Sequence, residues 1–345
     1  MRMSERTNAQ VWLKSRPNGI PQRSDFGIRM AAVPRLAEGQ LLIRNEFLSV
    51  DPAMRGWICD AGGYSVQIAL GETIRAFAVG EVIESNNARY PSGTRVMGLF
   101  GWQEYAVVSD NQVLLTVPSG RHTSSLYLGV LGLNGYTAYF GLLEIGQPRK
   151  GENVLVSTAA GAVGSCVGQI AKVHGCRTVG ITGGALKVSQ CIEEFGYAAA
   201  IDYKGVTDLD SAIRDACPSG VDVYFDNTSG PISDAVLRHL NIGARIVVCG
   251  TAAYPSWTPW NRGPRPEHHL LVKRARMQGF LVTDFTLRYT EALHHLSKWV
   301  EEGAIHYREQ VLEGIEQAPG AIQRLYNGEN TGKLVIRLPG AQATA

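Results

Sequence analysis

The chain has 345 residues, 45% of them hydrophobic, and 33 basic against 31 acidic side chains leave a formal net charge of +2. That length accommodates two domains of ordinary size, each with its own core, while the scattered Lys and Arg form no stripe of the kind that nucleic acid or an anionic membrane attracts. Residues 1–14 carry Arg2, Glu5, Arg6, Asn8 and Gln10 and so lack a signal-peptide core, and no apolar run reaches the ~20 residues of a membrane span; the cytoplasm is the expected location.

In chain order, residues 40–50 and 94–108 are apolar and β-branched and read as strands, with glycine turns at 61–63 and 91–93 between them. The first third is therefore mainly β with irregular loops. Residues 126–143 are small and apolar, with Gly129, Gly132, Gly135 and Gly141 at helix-compatible spacing, and read as a close-packed helical entry into a second domain. From Glu152 onward, apolar runs (NVLVSTA, RTVGIT, AAAIDY, VDVYFDN, ARIVVCG) alternate with helical patterns over 163–174, 186–195, 209–216 and 232–240. That alternation predicts a parallel sheet with right-handed crossovers, a Rossmann-type domain over residues 127–304. A last strand over 276–282, a helix over 291–301 and a strand over 332–338 complete the reading.

In ENVLVSTAAGAVGSCVGQIAKVHG, residues 152–175, an apolar strand runs into a glycine turn and then a helix beginning near Ala162. This is the context of a dinucleotide fingerprint: Ala159, Gly161 and Gly164 let the backbone approach a pyrophosphate, whose charge the helix N-terminus stabilises. NAD-specific domains place Asp or Glu about 20 residues beyond such a turn, on the adenine ribose hydroxyls. Here the corresponding stretch reads Gly180-Ile181-Thr182-Gly183-Gly184, followed by Lys187. A carboxylate would repel a ribose phosphate, so its absence beside a lysine points to NADP(H). Tyr203, ending the next strand, is placed to close over the same phosphate; the competing reading makes Lys187 a solvated helix residue and Tyr203 a surface aromatic.

Cysteines at 59, 166, 176, 191, 217 and 249 contain no CxxC pair and read as reduced thiols. No convergent Cys, His or carboxylate set for zinc is visible; His268-His269 and His294-His295 are neighbours that diverge on a helix, and no metal is expected.

These residues, with LSVDPAMRGW, GWQEYAVV, LGVLGLNGYTAYFGLLEIGQPRKGE, GVDVYFDNTSG, RARMQGFLV, IHYREQVLEGIEQAP and GENTGKLVIRL, support a resemblance that runs nearly end to end. The chain resembles the zinc-independent medium-chain dehydrogenase/reductases, specifically the prostaglandin reductase, alkenal double-bond reductase and bacterial curcumin reductase group. The resemblance implies an α/β fold. A GroES-like catalytic β domain comes from residues 1–126 and 305–345, and a Rossmann doubly wound parallel-sheet domain from 127–304, with the active site in the cleft between them. It also implies a homodimer joined through the edge strand near 276–282, and NADPH-dependent saturation of a carbon–carbon double bond conjugated to a carbonyl. Hydride would go to the β-carbon and a proton to the α-carbon, with a hydroxyl donor stabilising the enolate.

Carried over by residue, Ala160, Gly161, Ala162, Val163 and Gly164 match the pyrophosphate contacts, with Gly183, Lys187 and Tyr203 around the 2′-phosphate. Asn227, Cys249, Gly250, Phe280, Leu281, Val282 and Asn330 match the remaining cofactor contacts. Three departures bear on substrate. Ala53 stands where better-known members have tyrosine in DPYMR, Ala76 and Phe77 occupy a normally glycine-rich stretch, and the loop after Cys249-Gly250 is altered to TAAYPSWTPW. Tyr254 in that loop and Tyr64 in GGYSVQ are the candidate hydroxyls, either of which could instead simply line the pocket, and solvent is an alternative proton source; Phe77 and Trp257 enlarge the apolar lining. The competing functions are a quinone or other carbonyl oxidoreductase on the same scaffold, and a non-catalytic NADPH-binding protein.

Overall fold

The computed structural model describes residues 6–59, 65–120, 122–254 and 261–341. Its strands, in chain order, are β1 (Thr7–Leu13), β2 (Phe26–Ala32), β3 (Leu41–Ser49), β4 (Phe77–Ser85), β5 (Arg95–Leu99), β6 (Tyr105–Val108), β7 (Val113–Thr116), β8 (Asn153–Ser157), β9 (Arg177–Thr182), β10 (Ala199–Asp202), β11 (Val221–Asp226), β12 (Leu240–Val248), β13 (Arg276–Gly279), β14 (Glu309–Glu313) and β15 (Lys333–Arg337). The chain forms two compact units, one of Met1–Leu128 with Glu309–Ala345 and one of Gly129–Arg308.

In the first unit, β1 and β2 make an antiparallel ribbon, and a larger mixed sheet runs β14-β15-β3-β4-β5-β7 with β6 also on β3. Strand β3 is buried at every residue but the half-buried Arg44, although Arg44, Asn45, Glu46 and Ser49 are polar. Its polar residues are paired: buried Glu46 takes a two-pronged bond from Arg95 at 3.0 and 2.9 Å, and Arg44 reaches Glu81 at 2.8 Å. Gly80 is where β4 crosses β3 most tightly, since a Cβ there would lie 2.3 Å from the Arg44 carbonyl oxygen. Where β3 ends, the buried Lys333 ammonium donates to Ser49 Oγ (2.7 Å), Val50 O (3.2 Å) and Asp51 Oδ1 (2.6 Å). That fully satisfied cation fixes the loop leading into the helix Met54–Ile58.

In the second unit, β10-β9-β8-β11-β12-β13 pair in parallel throughout. Counting from β8, this is strand order 3-2-1-4-5-6, the doubly wound Rossmann arrangement, whose direction of winding reverses between β8 and β11. Leu155, Val179, Ile181, Tyr224 and Ile246 form its buried centre. The reversal lies at the carboxyl ends of the strands, where the segments after β8, β9, β10, β11 and β12 carry residues 160–164, Gly183, Tyr203, Asn227 and Cys249-Gly250.

The apolar runs of the sequence fall on β8 to β12, and two expectations need correction. The strand expected over 276–282 stops at Gly279, because Asp284 accepts from the Leu281 N–H (3.0 Å) and starts a 3₁₀ segment, Val282–Arg288. The strand expected over 94–108 is two, β5 and β6, broken around Gly101, whose φ of +78° an L side chain rarely adopts.

Candidate cofactor and active site

Strand β8 delivers the chain to Thr158, held at φ +54°, a costly region for a β-branched residue. The turn closes with the Gly161 N–H donating to Thr158 O (2.9 Å), and Gly161 then caps the helix Ala162–Val173. A Cβ on Gly164 would lie 2.3 Å from the Thr158 carbonyl oxygen, so glycine is what lets helix and strand approach. Ala160 is buried, whereas Gly161, Ala162 and Val163 remain partly exposed at the helix start, where N–H groups lack intrahelical partners.

Beneath this turn lies Tyr197, a residue the sequence reading missed. Its hydroxyl donates to Gly164 O at 2.6 Å, and burial pushes its pKa well above the ordinary value, so it stays a donor. Gly168 makes room for the ring, since a Cβ there would meet Tyr197 Cζ at 2.1 Å. The only sequence signal was the surplus glycine in the helix.

At the ends of β9 and β10, Asp202 Oδ1 accepts from the backbone N–H of Gly184 (2.7 Å) and of Lys204 (3.0 Å). The Gly184 N–H above all holds this carboxyl below the usual range. A Cβ on Gly183 would lie 3.1 Å from Tyr203 Cε1 and 3.1 Å from Lys204 Cε. Lys187, half-buried on the helix Ala185–Glu193, has its pKa lowered, first by burial and then by the charge of Lys204. Gly183 thus lies against Tyr203 and Lys204, and Lys204, which the sequence did not single out, is near enough to Lys187 for their charges to interact.

Across the reversal, buried Asp226 organises the end of β11. It accepts from the backbone of Thr228 (2.9 Å) and Ser229 (2.8 Å), from Ser233 Oγ (2.6 Å) and from Tyr224 Oη (3.0 Å). These bonds set the loop that carries Asn227, whose amide donates to Ser157 O (2.7 Å). Cys249 and Gly250 hang from the Asp226 carbonyl by their N–H groups at 2.8 and 3.0 Å. Burial, with the Asp226 charge adding, pushes the Cys249 thiol up to about 12, so it stays protonated near neutral pH. Tyr254 lies against the start of the helix Gly230–Val236, its ring 3.5 Å from a Cβ built on Gly230. Phe280 turns its ring onto Gly141, where a Cβ would meet it at 2.5 Å; in the same segment, the Leu281 N–H is engaged by Asp284 and Val282 O by Tyr289.

In the first unit, Ala53 begins the helix that carries Arg55 and Trp57. Phe77 packs edge-on against Trp57, centroids 6.2 Å apart, and Arg55 lies 4.4 Å over the Tyr326 ring, while Tyr326 Oη donates to Pro52 O (3.0 Å). Asn330 donates to Gly332 O (2.8 Å), just ahead of the Lys333 anchor. Tyr64 and Trp257 lie outside the described residues.

A doubly wound parallel sheet with a glycine turn at its reversal, in one chain with a β unit built from both chain ends, defines a dinucleotide-dependent oxidoreductase fold. Residues 9–116 match the family model described as the N-terminal domain of oxidoreductase, and residues 162–298 the one described as zinc-binding dehydrogenase. The NADPH-dependent curcumin reductase of Escherichia coli strain K12 is 40% identical over 349 residues, 99% of each chain. The NADP+-dependent 2-alkenal reductase of Nicotiana tabacum is 37% identical over 336 residues, 96% of this chain and 98% of its own. The crystal structure of CurA from Vibrio vulnificus in complex with NADPH superposes with a TM-score of 0.90 at 38% identity, covering 96% of this chain and 99% of that one. The chain belongs to the medium-chain dehydrogenase/reductase family, in the group of the curcumin, prostaglandin and 2-alkenal reductases. Among the described residues there is no group of three or more His, Cys, Asp or Glu that could hold a metal ion.

Replacing Tyr197 by Phe leaves the Gly164 carbonyl without its buried donor. The expected cost is about 1–3 kcal/mol of stability, together with faster amide exchange across residues 161–168 by mass spectrometry. Unchanged protection there would show that Tyr197 does not brace the turn.

Proposed function

We propose that this chain is an NADPH-dependent reductase of carbon–carbon double bonds conjugated to a carbonyl, with Gly129–Arg308 as the Rossmann NADP-binding domain and the remainder as a GroES-like catalytic domain. The observation that carries the cofactor reading is the placement of Tyr203 and Lys204 against Gly183, with Lys187 near enough to feel the Lys204 charge, where β9 is followed by glycines instead of a carboxylate. Support for the reaction comes from the end-to-end kinship with reductases named for curcumin and 2-alkenals.

NADPH, when bound, supplies the hydride that adds to the β-carbon of the enone. The protein's own part is binding and polarisation. Backbone groups of Ala160, Gly161, Ala162, Val163 and Gly164 hold the pyrophosphate, and Lys187 and Tyr203 hold the 2′-phosphate. Asn227, set by Asp226, with Cys249, Gly250, the Phe280-Leu281-Val282 segment and Asn330, takes the rest of the cofactor. Tyr254 donates its hydroxyl to the carbonyl oxygen as enolate charge develops; Tyr64 is the second hydroxyl, and the α-carbon is protonated from one of them or from solvent. Ala53, Phe77 and Trp257 shape the enone pocket. The reaction uses no metal, and the free thiols suit the reducing cytoplasm.

With a panel of enones, enals, quinones and ketones, NADPH is consumed with enones and enals, and Tyr254→Phe lowers kcat/KM by about 10²-fold. Consumption confined to quinones or ketones, or cofactor binding without turnover, would replace this reading with one of the competing functions.

The chain also forms a homodimer through β13 in this proposal. This strand is the edge of its sheet and all four of its residues are exposed, with Leu271, Val272 and Met277 bare around it. An uncovered apolar edge invites association. Sedimentation equilibrium of the native chain gives twice the chain mass and Met277→Lys gives the single mass; a native monomer contradicts the dimer.

A further inference from the structure

We propose that Lys204 is a second cation for the 2′-phosphate of NADPH, acting with Lys187 to set the preference for NADPH over NADH. The inference rests on the cofactor reading above and adds a residue to it.

Its geometry follows from a single carboxylate. Asp202 Oδ1 binds the backbone N–H of Gly184 and of Lys204, knitting the end of β9 to that of β10. So fastened, the Lys204 side chain is laid across Gly183: a Cβ there would stand 3.1 Å from Lys204 Cε, 3.2 Å from its Cδ and 3.1 Å from Tyr203 Cε1. The bare glycine is thus flanked by an aromatic ring and a lysine stem, both consecutive in sequence. Lys187 comes to the same place from the following helix, near enough that the Lys204 charge lowers its pKa, after the larger effect of burial.

Two ammonium groups held within reach of each other repel, and that repulsion is a standing cost in the ligand-free protein. A phosphate monoester carrying about −1.5 to −2 charges removes it and gains two charge-assisted contacts. NADH, with a neutral hydroxyl at the same carbon, relieves nothing. Lys204 therefore contributes to discrimination between the cofactors and not to binding of the shared dinucleotide. Its own exposure limits the gain, because solvent screens an exposed ammonium.

The test is calorimetric titration of the whole protein with NADPH, NADH and adenosine 2′,5′-bisphosphate, for the native chain, Lys204→Gln and Lys204→Arg. Lys204→Gln is expected to weaken NADPH and the bisphosphate by about five- to tenfold and leave NADH within about twofold, with Lys204→Arg close to native. Equal weakening of NADPH and NADH would assign Lys204 a merely structural part, and an unchanged NADPH affinity would remove it from the site; either overturns the inference alone if the native chain prefers NADPH. A native chain without that preference overturns both this inference and the cofactor reading.

Discussion

The Thr158 carbonyl and the Gly164 α-carbon come together with no room for a side chain, and the chemistry at the sheet's reversal depends on that approach. It brings the helix Ala162–Val173 down onto β8, so that the helix start and its N–H groups stand at the carboxyl edge of the sheet. The strained φ of Thr158 and the hydroxyl of Tyr197 hold the approach from either side. In the proposed site, phosphate binding at this turn needs no charged side chain, and positive side chains are left for the carboxyl end of β9, where the 2′-phosphate of NADP(H) is proposed to sit.

Around this point, fixed carboxylates position backbone instead of meeting substrate. Asp226 gathers the loop carrying Asn227, and Asp202 ties Gly184 to Lys204. In the other unit the sign is reversed and the logic is the same: the buried Lys333 ammonium organises Ser49, Val50 and Asp51, and so the loop that presents Ala53. A buried charge with all its bonds made confers a unique local geometry, whereas removing one partner leaves an uncompensated ion.

What the sequence made legible follows from locality. Strands β8, β9 and β11 are buried almost throughout and appear as short apolar runs, and the glycine turn lies within seven residues of chain, 158–164, so both could be read directly. Strand β4 was hidden by Gly80 and by Glu81 and Glu84, and β14 by burying only Leu312 fully. Lys187 and Tyr203 could be singled out as candidates because they follow closely on two predicted strands. Tyr197, Asp226 and Lys204 were not, because their roles lie in partners that only the fold supplies: Tyr197 reaches Gly164 across 33 positions, and Lys204 meets Lys187 through the packing of a helix against a neighbouring strand end.

The central claim is that hydride from NADPH enters the alkene carbon remote from the carbonyl. The most direct measurement is proton and deuterium NMR of the product after turnover of a simple enone with NADPH deuterated at the transferable position. The expected product is a saturated ketone with deuterium on the β-carbon only, and solvent hydrogen on the α-carbon. Deuterium on the carbonyl carbon of an allylic alcohol would place this chain among carbonyl reductases and contradict it.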